Sequence, residues 1–316
     1  MNNIELNKRK FGLIEGKKIT DYIAGSNSPI VRKKLTDGNW IDYKPEHEQQ
    51  FNYENLYDTL MCVTFATLDA LETLFMYHLH KGNISKENVV WLKEKGYFKN
   101  GFINFNDRFS AINGGTTSKG AYQFSVIDGI VHKGCIPQDI FPMSSNFSDN
   151  IDSKFITEEM YNLGLEFKKR FPILYEWVNN EDVIKFLQYA PLTASVCYDS
   201  GQEVLSPNNS PNHRIMVYEA TNEFIGVNDS YDELKKYNPS KVYSYMAFYL
   251  ETKNDMILKK EKGSSAIYLI NEDNKTKTMI VDMPTLDSLG GIFEEVDSLQ
   301  MYSDKGTLIW TERIIN

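Results

Sequence analysis

Three residues far apart in the chain could together make a reactive nucleophile: Cys62, His213 and Asn228. A thiol attacks a carbonyl only as thiolate, and an unassisted cysteine offers a small thiolate fraction at neutral pH. The positive end of a helix and a neighbouring imidazolium both favour the thiolate. Residues 59–79 are apolar nearly all round a helical wheel, which predicts a helix inside a domain with Cys62 in its first turn. Asp58 and Thr59 are the residues able to cap it. His213 follows a polar loop and opens the apolar run Ile215-Met216-Val217, at the rim where a strand leaves a loop. A turn at Thr221-Asn222 and a second strand, 223–228, bring Asn228 back beside His213. An amide oxygen holding one ring nitrogen would leave the other facing the thiol, which is the order nucleophile, base, orienter. A lone cysteine in an apolar helix is ordinarily a small core residue. The two partners downstream argue for more.

The elements that must position these residues follow from the periodicity. After the buried helix come further helical stretches at 85–95 and 121–132, the latter ended by Gly134, and a longer one over 155–188 interrupted at Pro172. From Pro191 the period changes to that of strands: 191–198, 213–220, 223–228 and 242–250. Helices first and antiparallel strands second predict an α+β fold. Gly263-Ser264-Ser265 reads as a junction, followed by a hairpin over 266–282, a short helix near 284–289 and a last strand near 307–314. The expected organisation is an N-terminal arm (1–38), a main domain (39–254) and a small β-rich module (255–316).

Bulk properties narrow the function classes. The 316 residues carry 41% hydrophobic and 24% charged residues, ordinary for a globular chain, so a sizeable core is expected. A net charge of -9 argues against a nucleic-acid surface spread over the whole protein. The first ten residues have no apolar stretch of the kind a secretory signal needs, and no window suffices to span a bilayer. Three cysteines do not make a disulfide framework, so synthesis in a reducing, cytoplasmic compartment is expected. No histidine, cysteine and carboxylate cluster has metal-ligand spacing and no glycine motif cradles phosphate, so no metal or other cofactor is implied. Cys135 and Cys197 read as core, His78 and His80 as histidines suited to a helix C-terminus, and His47 as solvated.

The order Cys62, Gly114-Gly115, His213, Asn228 resembles that of the papain-like cysteine peptidases. Residues 190–196, 213–220 and 227–230 are similar to that family's strand ahead of the histidine loop, its histidine strand and its asparagine turn, and 129–142 resembles the stretch after its second helix. The match covers roughly residues 40–250. His213 lies close to the spacing of about 130–150 residues after the cysteine, and Asn228 slightly beyond it. The family's glycine-rich cysteine signature is absent: Thr59-Leu60-Met61-Cys62-Val63 stands there, and Leu56 falls where a glutamine is usual. Residues 40–50 look like the start of divergent papain-like proteins of bacteriophages, and on that resemblance Gln50 is the oxyanion donor, with Asn52 and Asn55 as alternatives.

The resemblance implies a papain-like fold, with a helical half around the cysteine helix and an antiparallel β half. It implies a thiol hydrolase of peptide or related amide bonds using Cys62, His213, Asn228 and Gln50. Gly114 and Gly115 would offer main-chain hydrogen bonds to an extended peptide. The rival reading is a structural or virion interaction protein that has kept the fold without turnover, meeting phage structural partners through its N-terminal arm and C-terminal module.

Overall fold

The computed structural model describes residues 12–14, 34–198, 211–231, 233–250, 257–271, 276–280, 294–300 and 303–308. The chain divides into two units, one ending at Leu250 and the other beginning at Glu251, with residues 28–31 grouped with the second.

The first unit begins with three two-residue strands, β1 (Leu13–Ile14), β2 (Phe51–Asn52) and β3 (Tyr57–Asp58). The predicted buried helix is α1 (Cys62–His80), and every side chain from Cys62 to His78 is buried. Two of its threonines bond within the helix: Thr67 and Thr73 donate to the carbonyls of Val63 and Asp69, each at 2.7 Å. Neither Asp58 nor Thr59 caps it. Met61 occupies the N-cap with no side-chain bond, and Asp58 instead accepts from the Leu60 N–H at 2.8 Å. Leu60, at φ 58, turns the chain into the helix, so the first N–H groups of α1 have no side-chain cap.

Helix α2 (Lys86–Glu94) starts at Ser85, whose side chain accepts from Asn88 N–H. After the strands β4 (Phe98–Lys99) and β5 (Phe102–Ile103), Asn106 caps α3 (Asp107–Asn113) in the same way. Strand β6 (Ala121–Tyr122) leads directly into α4 (Gln123–Lys133). Thr157 caps α5 (Glu158–Arg170), which has glutamates at its start and Lys168, Lys169 and Arg170 at its end, as its dipole favours. Phe75 of α1, Phe105, Phe167 of α5 and Phe171 form one aromatic cluster with centroids 5.1–5.6 Å apart. That cluster anchors the middle of α1.

The second half is a six-stranded antiparallel sheet in the order β11-β10-β9-β8-β12-β7. Its strands are β7 (Ile173–Val178), β8 (Leu192–Val196), β9 (His213–Ala220), β10 (Ile225–Asp229), β11 (Glu233–Tyr237) and β12 (Val242–Leu250). One expectation fails here: 173–178 is an edge strand paired with β12, not the continuation of a helix. Pro172 cannot extend α5, and Ile-Leu-Tyr-Glu-Trp-Val suits a pleated surface better than a helix. Beyond it a 3-10 turn (Asn180–Asp182) runs into a single turn of helix, α6 (Val183–Phe186). Helix α1 packs across β9, β8, β10 and β12. The architecture is α+β, with the helices gathered in the first half and the sheet in the second.

The second unit is a five-stranded sheet in the order β16-β13-β14-β15-β17. It contains β13 (Ile257–Glu261), β14 (Ile267–Asn271), β15 (Thr276–Ile280), β16 (Glu294–Val296) and β17 (Ser303–Leu308). The hairpin read from the sequence is β14 and β15, closing at Asn271 opposite Thr276. The helix expected near 284–289, most of the N-terminal arm and most of the polar loop before His213 lie outside the described residues.

Candidate active site

Cys62 is the first residue of α1 and His213 the first of β9, and both are fully buried. The Cys62 thiol acts electrostatically on the imidazole and helps raise its pKa. The ring's Nε2 lies 3.0 Å from Asp229 Oδ1, so Nδ1 is the nitrogen left for the thiol. Two aromatic rings fix the imidazole plane: Tyr231 stacks on it at 5.0 Å and 29°, and Tyr198 tilts against it at 5.3 Å.

Asp229 takes the position that the sequence reading gave to Asn228. Its Oδ1 also accepts the Tyr231 N–H at 3.0 Å, and its Oδ2 accepts from Tyr198 Oη at 2.7 Å with Lys235 Nζ at 3.7 Å. Burial pulls the His213 pKa down, but the Asp229 carboxylate and then Cys62 outweigh it and push it up to about 10. Burial alone would raise the Asp229 carboxyl, yet His213 first, then Lys235 and the Tyr231 N–H, hold it well below the usual carboxylate range. The pair is therefore imidazolium and carboxylate at neutral pH.

Asn228 points elsewhere. Its Nδ2 donates to Asp69 Oδ2 of α1 at 2.8 Å. A β-bulge explains the exchange. β9 and β10 pair as Ile225 with Ala220 and Gly226 with Glu219, but then Val227 lies opposite Val217, so Tyr218 is skipped. Without that bulge Asn228 would share the face of His213; with it Asp229 does. Nothing short of the register distinguishes two adjacent polar residues, so the sequence offered no signal for the choice.

Behind Asn228 lies a group of acids. Glu48, Asp69, Glu72 and Asp107 act on one another, and burial, then Glu48, raises Asp69 to about 7 and Glu72 and Asp107 well above the usual range. Glu72 accepts the Phe105 N–H at 2.6 Å, and Asp107 accepts from Gln138 at 2.8 Å. Among the described residues, no group of three His, Cys, Asp or Glu has the geometry of a metal site.

Gln50 is buried near the site, but its amide is engaged. Nε2 donates to Asp58 Oδ1 and to Tyr231 Oη, each at 2.8 Å, while Oε1 accepts from Ser230 Oγ at 3.0 Å. An amide nitrogen has two hydrogens, and both are used, so no N–H of Gln50 is left for an oxyanion. Asn52 and Asn55 are bonded to each other, and Asn52 also donates to Tyr57. The backbone N–H groups opening α1 are the donors nearest Cys62 by sequence.

Gly114 and Gly115 do not present donors either. Their N–H groups close the end of α3 on the carbonyls of Ser110 and Ile112 at 2.9 and 3.1 Å. Gly114 is there because a Cβ would lie 2.7 Å from the backbone of Val126. The extended segment that does receive main-chain bonds is the chain's own Gly12–Ile14. Ala121 N–H donates to the Gly12 carbonyl at 2.7 Å, and Leu13 N–H donates to the carbonyl of Asn212, next to His213, at 3.1 Å. A Cβ on Gly12 would fall 2.1 Å from the carbonyl oxygen of Leu60, two residues before Cys62. Strand β1 thus lies in parallel against β6 between the start of α1 and the start of β9.

The remaining candidates are structural. Cys135 and Cys197 are buried, and burial pushes the Cys135 thiol well up. His78 is buried with Nδ1 3.1 Å from Asn83 Nδ2. His47 is not solvated as expected: its Nε2 lies 2.9 Å from the carbonyl oxygen of Asp229.

No protein-family model and no curated protein sequence matches the chain. Among solved structures, a cysteine protease of Carica candamarcensis is similar with a TM-score of 0.41 and 11% identity, over 66% of this chain and 95% of the protease. ProCathepsin B of Trypanosoma congolense is similar with a TM-score of 0.45 and 11% identity, over 80% of this chain and 90% of its own. Among the described residues, no helix is long and apolar enough to cross a membrane.

Proposed function

We propose that the chain is a thiol hydrolase of peptide or related amide bonds, with Cys62 as nucleophile, His213 as base and acid, and Asp229 orienting the ring. The observation that carries this reading is the buried imidazole bonded to a carboxylate at 3.0 Å, on a strand whose start is joined to the start of α1 by Gly12 and Leu13, with Cys62 acting on its charge. The thiolate sulfur bonds to the scissile carbonyl carbon, and the oxyanion that forms faces the uncapped N–H groups of the helix start. As the tetrahedral intermediate collapses, the imidazolium gives its proton to the departing amine, leaving a thioester. Water then attacks the thioester, losing its proton to His213, and releases the acid and the thiol. The extended Gly12–Ile14 segment, held by main-chain bonds between Ala121 and Asn212, supports an extended peptide as the occupant of this cleft.

One observation favours the second reading, a structural or virion component without turnover: Cys62 and His213 are both fully buried. A thiol-reactive peptide probe separates the two. Selective labelling of Cys62, lost in His213→Ala, is the outcome expected of a hydrolase. Labelling equal at Cys62, Cys135 and Cys197, or none with every variant, would leave the structural reading.

A further inference from the structure

We propose that Arg214 is a positioning residue that supplies the fixed counter-charge of the Cys62 thiolate, from the sheet face beneath the start of α1. The proposal deepens the hydrolase reading and rests on Cys62 being its nucleophile. Arg214 follows His213 on β9 and is fully buried. A buried charge is ordinarily paired, and an unpaired one is strongly destabilising. Yet the hydrogen bonds of this guanidinium go to uncharged oxygens: Nη1 to Ser195 Oγ and the Ser244 carbonyl, both at 2.7 Å, and Nη2 to Thr193 Oγ1 at 2.6 Å. Nε is buried with no hydrogen-bond partner, and Arg214 has no carboxylate ion pair among the described residues.

The register says which face this is. Arg214 lies opposite Ser195 and Met216 opposite Thr193, and the guanidinium bonds both β8 side chains, so all four share one face. Met216 also lies opposite Asn228, whose side chain reaches Asp69 of α1. That face is therefore the one α1 crosses. Cys62 is two helical turns, about 10 Å, ahead of Asp69, and Arg214 is one pleat repeat, about 7 Å, ahead of Met216. Helix start and strand start lie together, because Leu13 N–H bonds the Asn212 carbonyl at 3.1 Å while the preceding Gly12 packs against the Leu60 carbonyl.

Burial pulls the Arg214 guanidinium well below its ordinary range, and the groups that oppose this are Cys62 from α1 first and then Tyr245 from β12. A guanidinium in such a site holds its proton only with an anion beside it. Cys62 acts in turn on His213, Arg214 and Tyr231. A thiolate is the anion that completes this set. An imidazolium on one side and a guanidinium beneath would then hold the charge of the sulfur. The imidazolium gives up its proton during turnover, whereas the guanidinium keeps its own throughout.

The test is the ultraviolet absorbance of the thiolate followed against pH, each protein read against the same protein carrying Cys62→Ala. Absorbance needs neither substrate nor access to the buried sulfur. Arg214→Met should move the thiolate midpoint up by about one pH unit or more, a tenfold loss of thiolate below it. Arg214→Lys keeps the charge but loses the fork to Thr193, Ser195 and Ser244, and should move the midpoint by less than half as much. A purely structural role predicts the reverse pattern: both variants lose stability and neither moves the midpoint, and that result overturns the proposal. Should Arg214→Met fail to fold, His213→Gln, with Arg214 untouched, decides. Its thiolate should still form below the ordinary cysteine value of about 8.5, and formation only above it overturns the proposal. A protein that shows the shifts but cleaves nothing keeps the counter-charge and loses the hydrolase reading. One that cleaves peptides with unshifted midpoints does the opposite.

Discussion

Asp229 Oδ1 lies 3.0 Å from His213 Nε2 with both side chains fully shielded from water, while the neighbouring Asn228 bonds Asp69 on the helix that carries Cys62. The two adjacent residues therefore have separate and separable effects.

Asp229→Ala should reduce turnover by about 10²–10⁴-fold, because the ring loses both its tautomer and its counter-charge. Asn228→Ala should change turnover by no more than about threefold, but lower stability by about 1–3 kcal/mol through the lost bond to a buried acid. Peptide hydrolysis rates alongside urea unfolding distinguish the two. Equal kinetic losses in both variants would return the orienting role to Asn228.

Cys62→Ala and His213→Ala should each abolish turnover, with Asp229→Ala less severe because nucleophile and base remain in place. Hydrolysis by Cys62→Ala above the background of a mock preparation would remove the thiol from the mechanism.

Stability should depend on pH through the buried pair. His213, raised to about 10, contributes stability that is full below 6.5 and lost as pH rises through 10. Asp229, lowered, contributes stability that is present above 3.8 and lost as pH falls below it. The melting temperature of the wild type should thus exceed that of Asp229→Asn most clearly between about pH 4 and 6.5, narrowing on both sides. A gap that stays constant from pH 3 to 10 would mean the pair is not ionised.

Asp69 behaves in the opposite sense from an ordinary surface acid. Its carboxyl is raised to about 7, so the folded state holds the proton more tightly than the unfolded chain, and the contribution present below 3.8 is lost as pH rises through 7. Asp69→Asn mimics the protonated form. It should stabilise the protein by on the order of 1–3 kcal/mol at pH 8 and change little at pH 4. Denaturant titrations at the two pH values check it, and a destabilisation at pH 8 would contradict it.

Gly12→Val should displace β1 from the cleft, since a Cβ there meets the backbone oxygen of Leu60 at 2.1 Å. Labelling of Cys62 by iodoacetamide is expected to speed up several-fold while the melting temperature falls only slightly, because two main-chain bonds are lost. Unchanged labelling would mean that the segment does not limit access to the sulfur.

Composition and periodicity specified the elements that carry the nucleophile and the histidine, but not the helix Asp107–Asn113 or the strands Ile173–Val178 and Glu233–Tyr237. An apolar run without a polar face had to become a buried helix, and Cys62 opened it because Leu60, at φ 58, keeps the first residues of the run out of the helix. Alternation and turn residues placed His213 at the start of a strand and returned the chain to it through a hairpin. The stretch after Pro172 was legible only as a place where a helix stops; its strand character came from pairing with β12, a partner far along the chain. Tertiary structure alone decided which side chains serve the histidine. A bulge of one residue at Tyr218 exchanged Asn228 for Asp229, and packing committed both hydrogens of Gln50 before any substrate could use them. The physical reason is the same in each case. Local pattern fixes the type of element through interactions a few residues long, whereas the facing of a side chain depends on register, which is set by contacts between segments distant in sequence.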